Sequence, residues 1–555
     1  MKILFNVTNF GFLRNFQSTI ALLAQRKHHV HLVADRFDNT GGMQMVTALA
    51  AANPGITWEV SAPVKRGLWF TFTSVLRLTL DYWRYLDPRF ADAVMLRARA
   101  ERQVPRLVVW LPRLTGKAGW RFMTRVAKCM ERAIPVRPEV VDLLRREQPD
   151  ALLLTPLLYF GSRQVDHVRA ARAVGIPSIL GVGSWDHLTT KGVIHEVPDF
   201  VAVWNERQKA EAVTLHDVPP DRVVVTGAQA YDHWFERSVS TTRQDFCARV
   251  GVAGDRPFLL YLCSSPFITP HEVPFVRRWI EAIRSSGSEP LRRVGLLIRP
   301  HPQNAEQWRD VELSGYGNVA VWTRAGANPI DADARAEYFD SMFHSHAVVG
   351  VNTSALIESG IVGRRVYSIL VDEFSSTQEG TLHFQHLKGG LLQLASTLEA
   401  HTAQLAPTLE GASTPDEART VRGFVEAFIR PHGLDVAATP RFAALVEQAG
   451  SRRLPPRPAP AWAPVVRALA LPLAFAMMVA NIDRDRWWSF LLHATRPPRH
   501  ALRAAWGWTR KQIKMVFRWR VLARPLRLAV HAVLTRVHKI RRAAWRLIRG
   551  AQRVE

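Results

Sequence analysis

The sequence predicts an α/β protein made of two Rossmann-like domains and a basic, mostly helical C-terminal tail. Three observations carry this. The chain has 555 residues, too many for a single core when domains run to about 100–200 residues. Short apolar runs alternate with helix-periodic segments in two successive series, the pattern of parallel sheets covered on both faces. Basic charge gathers at the C-terminal end. The three cysteines, Cys129, Cys247 and Cys263, are scattered and odd in number, which fits neither a disulfide framework nor a zinc site and points to a reducing compartment.

The first series opens with KILFNVT (2–8) as a strand, a loop at Gly11–Asn15, a helix through Gln25 and a strand at HVHLVAD (29–35). It resumes with strands at DALLLTP (150–156), PSILGVG (177–183), DFVAVWN (199–205) and RVVVTGA (222–228), separated by helices near 161–174 and up to about 215. The second series has strands at PFLLYLCSS (257–265), VGLLIRP (294–300), NVAVWTR (318–324), AVVGVN (347–352) and RRVYSIL (364–370), with helices between them. The implied domains are 1–240, with a basic Trp/Arg-rich insertion at 61–147, and 250–415. Bracing helices at 416–450 and a tail at 451–555 follow, after a linker marked by Pro455, Pro456, Pro458 and Pro460.

The net charge of +25 is uneven, since residues 451–555 hold 23 Lys/Arg against three acids. Residues 61–147 add 18 Lys/Arg against eight acids, interleaved with Trp69, Trp83, Trp110 and Trp120. Asn6, Asn9, Arg14 and Asn15 interrupt any signal-peptide core. The longest uncharged apolar stretch, Ala468–Ile482, contains Pro472 and Asn481 and falls short of the about 20 residues a spanning helix needs.

Three segments carry chemistry. In AVVGVNTSALIESGIVGRRVYSI (347–369) an apolar strand ends at Asn352-Thr353-Ser354 and a helix follows. Its free amides and hydroxyls suit phosphate, and Glu358 one turn on can accept bonds from ribose hydroxyls. An ordinary N-cap explains Asn-Thr-Ser equally well. In LLIRPHPQN (296–304) a buried strand ends at Arg299-Pro300-His301-Pro302, where two prolines hold an Arg and a His extended; Arg299 or protonated His301 can then face a diphosphate. CSSPF (263–267) places Ser264 and Ser265 at the end of the first strand of the same series.

The order Ser264-Ser265, R-P-H-P at 299–302, N-T-S-A-L-I-E at 352–358 and G-R-R-V at 363–366 resembles the donor domain of bacterial GT-B enzymes. It is similar to the superfamily of non-hydrolysing UDP-N-acetylglucosamine 2-epimerases, CDP-glycerol glycerophosphotransferases and capsule transferases with a His-Pro motif. That resemblance implies phosphate contacts for His301, Thr353 and Ser354 and ribose contacts for Glu358. The epimerases' Ser-Gly-Gly turn and paired acids are replaced here by Asn352-Thr353-Ser354 and by Glu358 alone, with Ile357 at the second acid's place, which argues against epimerase chemistry.

The N-terminal half then supplies the acceptor side. Gly11, Arg14 and Asn15 follow the first strand, and GSWDHLTTKG (183–192) packs Trp185, Asp186, His187 and Lys191 into one loop, with Asp186 or His187 as the general base. The expected reaction is metal-independent, without a cofactor: a sugar or related group passes from a nucleotide-activated donor to a lipid-linked or surface-glycan acceptor. A CDP-glycerol-type phosphotransferase or UDP-sugar 2-epimerase-like enzyme is the nearest alternative, and a non-catalytic basic membrane- or nucleic-acid-binding assembly protein the more distant one. Leu526, Val530, Val533, Val537, Ile540, Ala544 and Leu547 recur at four-three spacing among Arg and Lys, an amphipathic basic helix. With seven tail tryptophans it implies that 456–555 bind an anionic membrane, peripherally and on its cytoplasmic face, rather than nucleic acid.

Overall fold

A computed structural model of the chain describes residues 1–38, 41–62, 67–326, 332–409 and 415–493, without the side chains of 415 and 480–493. Among these residues two compact units are present, one within 1–62 and 73–461, the other of 67–72 and 462–493.

The first unit holds both sheets. One contains β1 (Lys2–Val7), β2 (His29–Ala34), β3 (Ile56–Val60), β4 (Ala151–Thr155), β5 (Ser178–Gly181), β6 (Phe200–Val203) and β7 (Val223–Val225) in the order β3-β2-β1-β4-β5-β6-β7. The other contains β8 (Phe258–Leu262), β9 (Gly295–Arg299), β10 (Val319–Val321), β11 (Ala347–Gly350), β12 (Val366–Ile369) and β13 (Leu392–Ala395) in the order β10-β9-β8-β11-β12-β13. Every pairing is parallel, from Ile3 opposite Val30 and Ala151 in the first sheet to Leu259 opposite Leu296 and Ala347 in the second. Both are doubly wound, with the order reversing between β1 and β4 and between β8 and β11; such switch points open crevices at the strands' carboxyl ends. Runs such as ALLLT and FLLYL are buried residue by residue because helices cover both faces.

Around the first sheet lie α1 (Gln17–Gln25), α2 (Gly42–Ala52), α3 (Leu68–Arg84), α4 (Val94–Glu101), α5 (Arg106–Ala133), α6 (Pro138–Glu147), α7 (Val165–Val174), α8 (Glu206–His216) and α9 (Asp232–Phe235). The second sheet carries α10 (Arg243–Val250), α11 (Val273–Arg284), α12 (Glu289–Arg293), α13 (Ala332–His344), α14 (Ala355–Ile361), α15 (Leu398–Leu409) and α16 (Pro415–Phe428). α17 (Ala438–Gly450) then returns to the first sheet, packing on α1 with Phe442 edge-on to Phe16 at 5.6 Å. Asp232 anchors this crossing: its carboxylate accepts from the amides of Ala438 (3.1 Å) and Thr439 (2.6 Å) and from Arg430 (3.0 Å). It serves as an N-cap lent from a distant segment.

In the second unit, α18 (Ala463–His493) runs through the apolar stretch and contains Pro472. Among the described residues no helix is long and apolar enough to cross a membrane. The amphipathic 526–547 segment lies outside the described residues.

Candidate active site

The residues singled out in sequence fall at the carboxyl ends of strands on either side of the two switch points. After β1, the Asn9 side chain accepts from the Gly11 amide at 3.1 Å and starts a 3₁₀ turn, Phe10–Asn15, that leaves Arg14 exposed. A β-carbon at Gly42 would meet the Gly11 nitrogen at 2.4 Å, so only glycine lets α2 begin against this turn.

After β5, the 183–192 loop is held from inside and outside. Trp185 is buried, edge-on to His383 of the second domain with centroids 4.7 Å apart. The Asp186 carboxylate accepts from the Ser184 hydroxyl and, at 3.1 Å, from Thr190. Burial pushes this carboxyl up, but the Lys191 charge, His383 and the Ser184 hydroxyl hold it well below the ordinary carboxylate range. His187 is buried, its Nδ1 accepting from the Gly183 amide at 3.2 Å, and burial with the nearby Lys191 lowers its pKa to about 3. It is a neutral ring that ties the loop to its own start. The Lys191 ammonium lies 5.9 Å from the centroid of Tyr159, which follows β4.

The outer hold comes from the insertion. Buried Arg84 of α3 donates to the carbonyls of Leu188 (2.7 Å), Lys191 (3.0 Å) and Gly192 (2.5 Å), and the Tyr85 hydroxyl also donates to Lys191 (2.7 Å). Asp81 accepts from the amides of Gly161 (2.7 Å) and Val193 (2.8 Å) and pairs with His195 at 3.0 Å. His195 in turn pairs with Glu131 of α5 at 2.9 Å, and Glu131 with Arg77, which also reaches Asp166 at 2.7 Å. Burial opposes the imidazolium, yet Glu131 and Asp81 raise its pKa to about 9. The loops after β4 and β5 are thus fastened to α3 and α5 by buried charges.

On the second sheet several expected ligands are occupied within the protein. The Ser264 hydroxyl accepts from the Asn352 amide (3.3 Å), its own amide donates to Glu272 (3.0 Å), and the Asn352 side chain donates to Thr377 (2.7 Å). Both residues are buried and shape the turn. Arg299 is buried too, its guanidinium 3.4 Å from Glu337 and 4.9 Å from the Tyr338 ring centroid. His301 is not protonated near neutral pH, contrary to one expectation above: burial and the Arg14 charge lower its pKa to about 4. Its Nδ1 accepts from the Gln303 amide at 3.1 Å, so the neutral ring carries its proton on Nε2, available to donate. Ser265 and Thr353 are half-buried and Ser354 exposed.

Glu358, one turn into α14, accepts from the Tyr338 hydroxyl at 2.7 Å. Burial raises its pKa to about 7, with Tyr338 and Arg14 opposing. Arg14 acts on both Glu358 and His301, and Tyr231 feels Glu358 and Asp186 together, so groups from both domains share one electrostatic field. Tyr338, Tyr231, Tyr159 and His383 were missed in sequence: each is remote from the motifs, and no local spacing marks them.

No family model matches the chain, and no curated protein matches it. Solved structures do. A glycosyltransferase from Rickettsia africae is 8% identical, with 81% of this chain and 99% of that one covered at a TM-score of 0.47. A putative UDP-N-acetylglucosamine 2-epimerase from Listeria monocytogenes is 12% identical, with 83% and 99% covered at 0.46. The UDP-GlcNAc 2-epimerase from Neisseria meningitidis, solved bound to UDP-GlcNAc, is 13% identical, with 80% and 100% covered at 0.45. The two doubly wound parallel sheets, with α17 returning from the second to the first, are the two Rossmann-like domains that the sequence predicts.

Proposed function

We propose that the chain is a glycosyltransferase that passes a sugar from a nucleotide-activated donor to a hydroxyl of a lipid-linked or membrane-proximal glycan. One observation carries the reading: Glu358 and His301, at strand ends of one domain, share a field with Arg14 and Asp186 at strand ends of the other. In this scheme Glu358 accepts from the ribose, while His301 Nε2–H and the Thr353, Ser354 and Ser265 hydroxyls donate to the donor phosphates. Arg14 and Lys191 offset the charge that grows on the leaving phosphate. The acceptor oxygen bonds to the anomeric carbon as the bond to the donor phosphate breaks. The acceptor's proton passes to Asp186 and the bonding pair leaves with the phosphate. Asp186 takes this role over His187, whose ring is committed to the loop. Arg299, Ser264 and Asn352 shape the donor turn.

No metal ion takes part in the scheme, so turnover in chelator tests that element of it. Thermal shift against UDP, CDP, CMP, GDP and dTDP tests the donor site. At least one nucleotide should stabilise the protein, and folded Glu358→Ala should lose that response. Unchanged affinity in Glu358→Ala rejects the assignment, and turnover of donor alone, without acceptor, moves the reaction to epimerase-like chemistry. The tail's 23 Lys/Arg, at about 1 kcal/mol for each that nears anionic lipid, support attachment of the chain from 456 on to the cytoplasmic face of a membrane. Co-sedimentation with anionic but not neutral vesicles, weakening with salt, checks this. DNA outcompeting lipid would overturn it.

A further inference from the structure

α5 is apolar on two sides. Its inner side buries Val109, Trp120 and Ala127, and Glu131 at its end closes the charge network that holds the 183–195 region. Leu107, Trp110, Leu114 and, past a break in the helix, Phe122 stand at 68%, 56%, 74% and 66% exposure. The first three recur at intervals of three and four on the segment before the break at Gly116, whose φ of 64° suits glycine. Between 106 and 132 the sequence has seven Lys/Arg and one acid, the buried Glu131.

Large apolar side chains at such exposure are isolated on an ordinary soluble helix, whereas here they form a stripe with cations beside it. We propose that this outer face of α5 before the break docks on an anionic lipid surface, with Leu107, Trp110 and Leu114 entering the headgroup region and the flanking Lys/Arg meeting lipid phosphates. A nucleic acid would satisfy the cations but leave the stripe in water. The chain's own tail, of the same sign of charge, would leave the cations without counter-charges. Lipid alone satisfies both features.

The bundle's position gives the docking a use. Arg99 of α4 lies 5.1 Å from the ring centroid of Phe267, just after β8, and 5.9 Å from that of Phe160, just after β4. The α3–α5 bundle therefore sits where the loops of both sheets meet, and lipid contact through α5 brings the cleft to acceptors held in the membrane. This deepens the membrane-proximal reading above and rests on it for the choice of surface.

The test uses the full chain with Cys129→Ser, leaving the buried Cys247 and Cys263. An environment-sensitive NBD dye is attached at Leu114→Cys or, as control, at exposed Glu426→Cys on α16. With vesicles containing phosphatidylglycerol, emission at 114 should shift to the blue and rise about twofold or more while 426 stays unchanged, because only the first enters the interface. In unlabelled protein, Leu107→Glu/Trp110→Glu/Leu114→Glu should weaken vesicle binding about tenfold with nucleotide affinity intact. Sedimentation with vesicles but no shift at 114 overturns the α5 proposal alone. No sedimentation overturns the membrane reading with it.

Discussion

The two walls of the cleft hold their carboxylates in opposite states. Asp186 sits among Lys191, Ser184 and Thr190 and stays ionised, whereas Glu358 has Tyr338 as its hydrogen-bond donor and a pKa of about 7. The support differs as well. The first wall's loops are fastened from outside by charges of the insertion, while the second wall's turns are satisfied from within their own domain by Ser264, Asn352 and Glu272. A group that rests ionised in a loop fixed by a separate bundle stands ready to accept a proton from an acceptor hydroxyl. A carboxyl poised near neutrality suits binding that supplies its own donors.

The strongest break in that comparison is Asp186→Asn. If the ionised carboxylate takes the acceptor's proton, turnover should fall about 10²–10⁴-fold with donor affinity unchanged. His187→Ala should instead lower stability, because its ring holds the loop. Kinetics and calorimetric donor binding measured on both variants distinguish these roles, and normal turnover in Asp186→Asn removes the base from this loop.

Next in size is the second wall's buried carboxyl. Glu272 is fully buried, accepts from Ser264 and Tyr261, and burial raises its pKa to about 8. A carboxyl raised above its unfolded value contributes stability fully below about pH 4.5, and loses it as pH climbs through 8 at up to about 1.4 kcal/mol per unit. Glu272→Gln keeps the acceptor without the ionisation. Chemical denaturation at pH 6 and 9 should show the wild type losing several kcal/mol and the variant much less; parallel profiles would reject the buried, raised carboxyl.

The fastening of the first wall comes third. Arg84→Met leaves buried carbonyls of the 188–192 segment without their donor, at about 3 kcal/mol. Melting temperature and turnover should drop together while nucleotide affinity holds. A variant that melts lower but turns over normally would confine Arg84 to stability.

Much of this frame is legible in sequence because strands buried on both faces read as unbroken apolar runs. Where LLIR and AVVG stop, the strand stops and the site residues begin. The two strands not anticipated, ITWEV and LQLA, are edge strands with mixed polarity and half-exposed positions, so no such run marks them. Sequence also shows which polar side chains stand at a strand end, but not which are already engaged. Ser264, Asn352 and Arg299 look as available as Thr353 until their partners Asn352, Thr377 and Glu337 arrive from 88, 25 and 38 residues away. The insertion was visible as charge and tryptophan but not as a clamp, since the Arg84 and Asp81 contacts span more than 79 residues.

The smallest expected effect sharpens the comparison most. In the ligand-free protein Glu358 takes up a proton near pH 7, while His301, at about 4, stays neutral from pH 5.5 upward. An ionised carboxylate accepts from both hydroxyls of a ribose, whereas the protonated form spends one oxygen as a donor. Nucleotide binding should then release a proton from Glu358, and affinity should rise with pH through about 7 and level off above it. A nucleotide sugar is the right probe, because its doubly esterified diphosphate does not titrate in this range. Glu358→Gln should bind about tenfold less tightly at pH 8, the size of one charge-assisted hydrogen bond, and its affinity should be flat from pH 5.5 to 8.5. Titration calorimetry in buffers of different ionisation enthalpy counts the proton directly. A wild-type affinity that is flat or falls across this window means that Glu358 does not meet the ribose as a carboxylate, and the difference between the two walls would then be one of burial alone.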